Sequence, residues 1–84
     1  MLTLHYFASV RELTRRNVEQ LEQPESVQSV ADLIAFLAAR DSASRAALAG
    51  DVEVLVAVNQ TVVSRDAPLA GNEEVAFFPP MTGG

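Results

Sequence analysis

The fold of this chain is decided by the stretch Ser29-Val30-Ala31-Asp32-Leu33-Ile34-Ala35-Phe36-Leu37-Ala38-Ala39-Arg40. Its apolar residues recur at i, i+3, i+4, i+7 and i+8, the spacing of one face of an α-helix: Val30, Leu33, Ile34, Leu37 and Ala38. Ser29 suits the N-cap, Asp32 occupies the capping-box position, and Arg40 suits the negative carboxyl end. Because one amphipathic helix must bury its apolar face, we expect it to pack across a β-sheet.

Two strands are predicted before this helix. Residues 2–8 and 18–23 alternate apolar and polar side chains and predict a hairpin, which Pro24 ends because proline cannot donate to a strand ladder. Residues 9–16 between them are predicted to form a short connection with room for one helical turn. His5, the single histidine, is expected to be an exposed strand residue, because a metal site needs further ligands.

Three more strands are predicted after the helix. Residues 41–49 are rich in alanine and serine and predict a second, short helix that Gly50 stops. Residues 55–58 are continuously apolar, which predicts a central strand buried on both faces. A turn at Asn59-Gln60, of a type that the residues leave open, leads to a strand over 61–63. The last strand is predicted over 74–78.

The resulting order of elements is β, β, α, a minor helix, β, β, β. It predicts an α+β fold of the β-grasp, ubiquitin-like class, with a mixed sheet packed on one main helix and a second short helix. We expect this domain to span residues 1–78 and residues 79–84 to form a flexible tail.

Composition narrows the range of functions. The net charge of −5 argues against nucleic-acid binding, which needs a basic patch. All six basic residues are arginine, so no side chain offers an amine for an isopeptide bond, and the lack of cysteine excludes disulfides, thiolate metal sites and a cysteine nucleophile. No apolar run approaches the ~18 residues of a membrane span. The N-terminus lacks a signal-peptide pattern, and we expect a cytoplasmic protein that binds no membrane.

The final residues point to a function for the tail, Phe77-Phe78-Pro79-Pro80-Met81-Thr82-Gly83-Gly84. The two prolines fix φ and favour polyproline II, so the chain leaves the last strand extended. Residues 79–84 can then reach roughly 20 Å from the body. The two glycines allow close approach of the backbone to a surface or passage through a narrow opening. A frayed terminus is the alternative, but two aromatic residues seldom introduce one. We therefore expect the terminal carboxylate of Gly84 to be the reactive group.

The stretch from Glu74 to Gly84 resembles the ending of the small, sulfur-carrying subunits of molybdopterin synthase: Glu-Val-Ala-Phe-Phe-Pro-Pro, two variable residues and Gly-Gly. Residues 6–13 and 57–63 are similar to the aromatic N-terminal run and the central hairpin of that family. A Gly-Gly end alone is shared by all ubiquitin-like carriers. The Phe-Phe-Pro-Pro approach makes the resemblance specific.

The resemblance implies sulfur transfer in molybdenum cofactor biosynthesis. An ATP-dependent activating enzyme would adenylate Gly84, and a sulfur donor would then replace AMP to leave a thiocarboxylate. The tail would insert into the large subunit of a heterotetrameric synthase, where the sulfur would convert cyclic pyranopterin monophosphate to the molybdopterin dithiolene. The inserted residues would be Pro79, Pro80, Met81, Thr82 and Gly83. The catalytic side chains would belong to the large subunit, with no cofactor held permanently by this chain and ATP used by the activating enzyme.

Ordering a tail in a partner's pocket requires a compensating contact by the body of the domain. We expect this partner interface at Phe7, Leu69, Phe77 or Phe78, with Arg11 as a further candidate from the family-like N-terminal run. Because side chains alternate along a strand, Phe77 and Phe78 lie on opposite faces and one of them belongs to the core.

Three other functions remain open on the sequence alone. The sulfur carrier for the thiazole of thiamine shares the fold and the Gly-Gly end but usually lacks the Phe-Pro-Pro approach. A carrier for tRNA thiolation or a conjugating ubiquitin-like protein is a second alternative. A β-grasp interaction module with an inert tail is the third.

Overall fold

The computed structural model describes residues 1–80, and within that range the chain forms five strands and three helices. The strands are β1 (Leu2–Tyr6), β2 (Val18–Leu21), β3 (Leu55–Val58), β4 (Thr61–Val63) and β5 (Glu74–Phe78). The helices are α1 (Ala8–Thr14), α2 (Val30–Arg40) and α3 (Ser42–Leu48). The α+β class is confirmed, and β5 has the predicted bounds.

The strands form one mixed sheet in the order β2-β1-β5-β3-β4. β1 and β5 run parallel, and the other neighbouring pairs are antiparallel. The last strand in the sequence therefore lies in the middle of the sheet, between the first strand and the third. This arrangement, with the helices against one face, is the predicted β-grasp.

The core lies between the helices and that face of the sheet. β1 contributes Leu2, Leu4 and Tyr6, and β5 contributes Val75 and Phe77. From α2 the predicted apolar face contributes its first four members, Val30, Leu33, Ile34 and Leu37, whereas Ala38 is only half-buried. The amphipathic stretch thus packs as the sequence predicts.

The N-terminus of α2 is capped by side chains on both sides of the first turn. Ser29 has an extended backbone and its Oγ accepts a hydrogen bond from the N–H of Asp32 at 3.2 Å. The Asp32 carboxylate accepts in return from the N–H of Gln28 at 3.0 Å. In a standard capping box the side chain at this position accepts from the N–H of the N-cap residue. Here the shorter aspartate accepts from the N–H of Gln28, the residue before the N-cap, which is a variant of the predicted capping box.

The connection after β1 is a helix of seven residues, about two turns, and not a single turn. β1 correspondingly ends at Tyr6, two residues earlier than predicted. Only Val10 and Thr14 of α1 are buried. The buried Thr14 hydroxyl donates a hydrogen bond to the Val10 carbonyl at 2.8 Å. A helix with one aliphatic residue in its buried face gives almost no periodic signal, which is why the sequence does not reveal it.

α3 follows α2 directly because Asp41 serves as its N-cap and accepts from the Ser44 N–H at 2.7 Å. The predicted stop at Gly50 has a steric cause. A Cβ atom there would lie 2.5 Å from the carbonyl oxygen of Ala46, a distance that real Cβ atoms do not tolerate. The position thus requires glycine through close approach to the helix end.

The prediction that residues 55–58 are buried on both faces needs correction. β3 does have a strand on each side, but only Val56 and Ala57 are buried and the ends Leu55 and Val58 are half-buried. Helices cover one face of the sheet only, and the central position belongs to β5.

The turn between β3 and β4 places both Asn59 and Gln60 in the left-handed region, with φ of 49° and 71°. Positive φ at both positions is the requirement of a two-residue type I′ turn. Asn59 also ties the turn to β5: its N–H donates to the Glu74 carbonyl at 2.8 Å, and its Oδ1 accepts from the Glu74 N–H at 3.0 Å.

A polar cluster joins the outer strand β2 to the helical layer. Glu19 of β2 accepts from the hydroxyl of Tyr6 at 2.8 Å and from both terminal nitrogens of Arg40, one of them at 2.9 Å. The hydrogen bond from Arg40 holds the pKa of Glu19 below its ordinary value, although partial burial opposes this. Burial, aided by the bond to Glu19, raises the pKa of Tyr6.

We expect Glu19→Gln to lower the free energy of unfolding at neutral pH by roughly 1–2 kcal/mol, because hydrogen bonds to a charged group are lost. A depressed carboxyl pKa stabilises the fold above the ordinary glutamate pKa of about 4.3, and this stabilisation is lost as the pH falls through the folded-state pKa. The difference between variant and wild type should therefore shrink in acid. Urea unfolding over a pH series measures it, with the exposed Glu22→Gln as control. A difference that is independent of pH would contradict the assignment.

We also expect Gln60→Gly to raise the free energy of unfolding by about 1 kcal/mol, because glycine adopts the left-handed region without a Cβ penalty. Gln20→Gly is the matched control: the same residue type lies in β2 outside the left-handed region, and this change should destabilise by about 1 kcal/mol. Chemical denaturation of the three proteins tests both signs. Equal destabilisation by the two substitutions would show that the turn is not left-handed at Gln60.

Candidate functional site

The candidate site is the end of β5 from which the tail leaves. β5 leads directly from Phe78 into Pro79 and Pro80, both half-buried. On one side of the exit the Phe7 N–H donates to the Phe77 carbonyl at 3.0 Å, and on the other side Leu55 of β3 pairs with Phe78. The remaining residues of the predicted tail, Met81, Thr82, Gly83 and Gly84, lie outside the described residues.

The two aromatic residues at the end of β5 have different environments. Phe77 is 0% exposed, and its ring stacks on that of Tyr6 with centroids 5.6 Å apart. Phe78 points to the opposite face and is half-buried. Phe77 is therefore a core residue, and its inclusion among the interface candidates is corrected, while Phe78 remains a candidate.

Leu69 is a second correction. Its side chain is buried in the core, and its N–H donates to the Gln28 carbonyl at 3.0 Å, beside the beginning of α2. It is not on a surface that a partner at the tail exit can contact. The sequence places it in a loop, but loop position does not indicate whether an apolar side chain turns inward.

The face of the sheet opposite the helices, here called the open face, carries no helix of the described chain. The pairing registers and the alternation along each strand define its members: Val18, Gln20, Thr3, His5, Phe7, Glu74, Ala76, Phe78, Leu55, Ala57 and Val62. Phe7 is 46% exposed, and Val18 and Val62 are also exposed. Exposed apolar side chains gathered on one face are typical of a protein–protein contact.

Arg11 is a further interface candidate that the structure leaves at the surface. It is exposed on α1, one turn after Phe7, and its N–H donates to the Phe7 carbonyl at 3.3 Å. The residues predicted as interface thus divide into three that keep contact with solvent, Phe7, Arg11 and Phe78, and two that belong to the core. A role of the first three in binding stays a prediction.

A shallow depression of about 190 Å³ lies on the open face next to Phe7, lined by His5, Phe7, Gln60, Glu74 and Ala76. The rings of His5 and Phe7 stack with centroids 6.2 Å apart. The Nε2 atom of His5 lies 2.9 Å from the Glu74 carboxylate. Because an ionised carboxylate only accepts hydrogen bonds, Nε2 is the donor.

Sequence patterning carries only a weak signal for this depression. His5 and Phe7 are two positions apart in extended backbone and therefore point to the same face, which is visible in the sequence. The contact of His5 with Glu74, 69 positions later in the sequence, depends on the parallel pairing of β1 with β5. No local sequence pattern shows this pairing.

The helices and side chains of residues 1–80 indicate neither a membrane span nor a metal centre. No helix of this range combines the length and the apolarity needed to cross a bilayer. Within the same range no three histidine, cysteine or acidic side chains are grouped to hold a metal ion.

Comparison with known structures supports the fold. SAMP1 from Haloferax volcanii superposes with a TM-score of 0.78 at 20% sequence identity, covering 99% of this chain and 98% of that chain. A Pyrococcus furiosus protein assigned as molybdopterin converting factor subunit 1 superposes with a TM-score of 0.71 at 27% identity, covering 95% and 97% of the two chains.

Comparison of sequences identifies the family. The model of the ThiS family matches residues 4–84. The molybdopterin synthase sulfur carrier subunit of Escherichia coli strain K12 is 43% identical over 84 residues, and that of Haemophilus influenzae is 35% identical over 86 residues, each covering 100% of both chains. The chain therefore belongs to the ThiS family, together with the sulfur carrier subunits of molybdopterin synthase.

Proposed function

We propose that this chain is the sulfur carrier subunit of a molybdopterin synthase and that the carboxyl group of Gly84 carries the sulfur. The main support is the root of the tail. The central strand of the sheet holds the Phe-Phe-Pro-Pro stretch in place, with one aromatic ring anchored in the core and the other on the open face. The full-length similarity to sulfur carrier subunits adds to this support.

The proposed chemistry takes place at the terminus and not at a side chain. A carboxylate is a poor electrophile, so an ATP-dependent enzyme first converts Gly84 to an acyl adenylate with release of pyrophosphate. A sulfur donor then displaces AMP and leaves a thiocarboxylate. The chain has no cysteine, so a persulfide on its own side chains is not an option. ATP is bound by the activating enzyme, and the chain itself needs no permanent cofactor.

In the second half of the proposed cycle the tail enters the large subunit of the synthase. There the sulfur is transferred to cyclic pyranopterin monophosphate, and two such transfers build the dithiolene of molybdopterin. The catalytic side chains belong to the large subunit. We place this heterotetrameric assembly, with the activating enzyme, in the cytoplasm.

The open face offers the contact that tail insertion requires. Fixing the backbone of six tail residues costs roughly 6–12 kcal/mol, less what the two prolines pre-order. Covering a large apolar side chain returns about 1.5–3 kcal/mol. Phe7 and Phe78 lie beside the exit, so the large subunit can cover them while it receives the tail, and the exposed Arg11 follows one turn after Phe7.

The thiazole carrier of thiamine biosynthesis is the nearest alternative. Both curated relatives reported above are molybdopterin synthase subunits, which favours molybdopterin. Co-purification distinguishes the two, because each carrier should retain its own large partner.

Incubation with the activating enzyme, ATP and a sulfur source should raise the intact mass of the chain by the exchange of one oxygen for one sulfur. The control is a variant that lacks Gly84, which should gain nothing and keep its fold. Intact-mass spectrometry of both proteins makes the measurement. No gain, with an activating enzyme shown to work on another carrier, would return the chain to an interaction module with an inert tail.

Phe7→Ala should weaken binding to the large subunit at least about tenfold, because an aromatic anchor beside the tail is removed. Leu13→Ala is the matched control: Leu13 on α1 is also 46% exposed but lies outside the open face, and its truncation should leave the affinity unchanged. Isothermal titration calorimetry measures the dissociation constants, and thermal unfolding confirms that both variants fold. Equal affinities of the two variants would show that Phe7 is not an anchor for the large subunit.

A further inference from the structure

The open face is not uniformly apolar, because the depression at its centre contains a paired acid and imidazole. Glu74 is exposed over 61% of its side chain, and His5 over 28%. The pair has apolar neighbours on the same face: Phe7 stacks against His5, and Ala76 completes the lining toward Phe78. A partner that covers Phe7 and Phe78 therefore also covers this pair.

Covering a carboxylate is costly unless hydrogen bonds replace the water that it loses. Within residues 1–80 His5 is the one side chain that donates to Glu74, and its bond goes to Oε1. The hydrogen bonds of residues 1–80 include no donor to the second oxygen, Oε2, which water therefore solvates at the exposed side chain. A carboxylate accepts several hydrogen bonds, so the partner has to supply the missing donors on docking.

The charge and the shape of the depression indicate which donor fits. The chain carries a net charge of −5, which favours a basic partner surface. The exposed ring of Phe7 forms one wall, and a guanidinium group stacks on an aromatic face while it donates in its own plane. An ammonium group offers the charge but not the stacking.

We propose that the docking partner inserts an arginine side chain into the depression, where its guanidinium lies on Phe7 and donates to Glu74, with His5 as the positioning residue for the carboxylate. This inference rests on the proposed function, since it takes the large synthase subunit as the partner on the open face. It makes Glu74 a determinant of partner choice: a surface without the arginine leaves the carboxylate buried and underbonded. The apolar contact gives affinity, and the ion pair selects the partner.

The test is the kinetics of binding between the full chain and the large subunit, measured by surface plasmon resonance. Glu74→Gln should dissociate about 10- to 100-fold faster, because breaking a covered charge pair acts on the dissociation rate. Glu74→Lys should bind more weakly still, because the introduced lysine would repel the arginine of the partner. The matched controls are Glu25→Gln and Glu25→Lys, which change the net charge equally at an exposed site in the loop between β2 and α2.

The controls should alter only the association rate and its salt dependence, since a distant charge acts through long-range steering. His5→Leu should also accelerate dissociation, and His5→Gln, which keeps a donor, should restore part of the loss. Thermal unfolding verifies the fold of each variant, and Glu74→Gln alone decides the outcome if the lysine variant does not fold.

Three results overturn the inference. If Glu74→Gln dissociates at the wild-type rate, Glu74 has no partner in the complex. If Glu74→Gln and Glu25→Gln change the association rate alike and nothing else, the charge acts only at long range. In both cases binding by the wild type leaves the proposed function intact. If the wild-type chain does not bind the large subunit, the proposed function and the inference fail together.

Discussion

The structure depends on the placement of β5 between β1 and β3. One ladder runs parallel to β1, from Thr3 and Glu74 to Tyr6 and Phe77, and the other runs antiparallel to β3. The two ladders and the stacking of Phe77 on Tyr6 fix the strand in rotation as well as in register. Since side chains alternate, a buried Phe77 forces Phe78 onto the open face and sets the direction of Pro79. The centre of the core and the root of the tail are thus the same strand.

Two carboxylates show how the two faces of the sheet differ. Both oxygens of Glu19 have donors, from Tyr6 and Arg40, and the cluster joins the outer strand to the helical layer. Glu74 has a single side-chain donor in the described residues. A carboxylate whose two oxygens both accept hydrogen bonds within the protein stabilises the fold by itself. A carboxylate with fewer protein donors needs water to supply the remaining hydrogen bonds. The first contributes to the stability of the domain, and the second lies on the open face, where water still reaches it.

The sequence predicted those features that depend on local patterning. The apolar spacing of α2, its cap at Ser29 and the bounds of β5 follow from residues within a few positions of one another. Features set by distant contacts were missed. α1 is held by Val10 and Thr14 against the core, and the central place of β5 comes from parallel pairing with the first strand. Distant contacts also decide the candidate site. The alternation of side chains predicts that one of Phe77 and Phe78 belongs to the core, but the pairing of β5 with β1 and β3 is needed to show that it is Phe77.

The position of β5 also has a mechanical consequence. A force on the tail pulls β5 along its own axis, in the plane of the sheet. The hydrogen bonds to β1 and to β3 are then loaded together in shear, and β5 has two such ladders where an edge strand has one. Withdrawal of a tail held in a pocket, or traction by an unfolding machine, therefore meets the strongest part of the domain first. The domain can therefore be pulled by its C-terminal end and keep its shape.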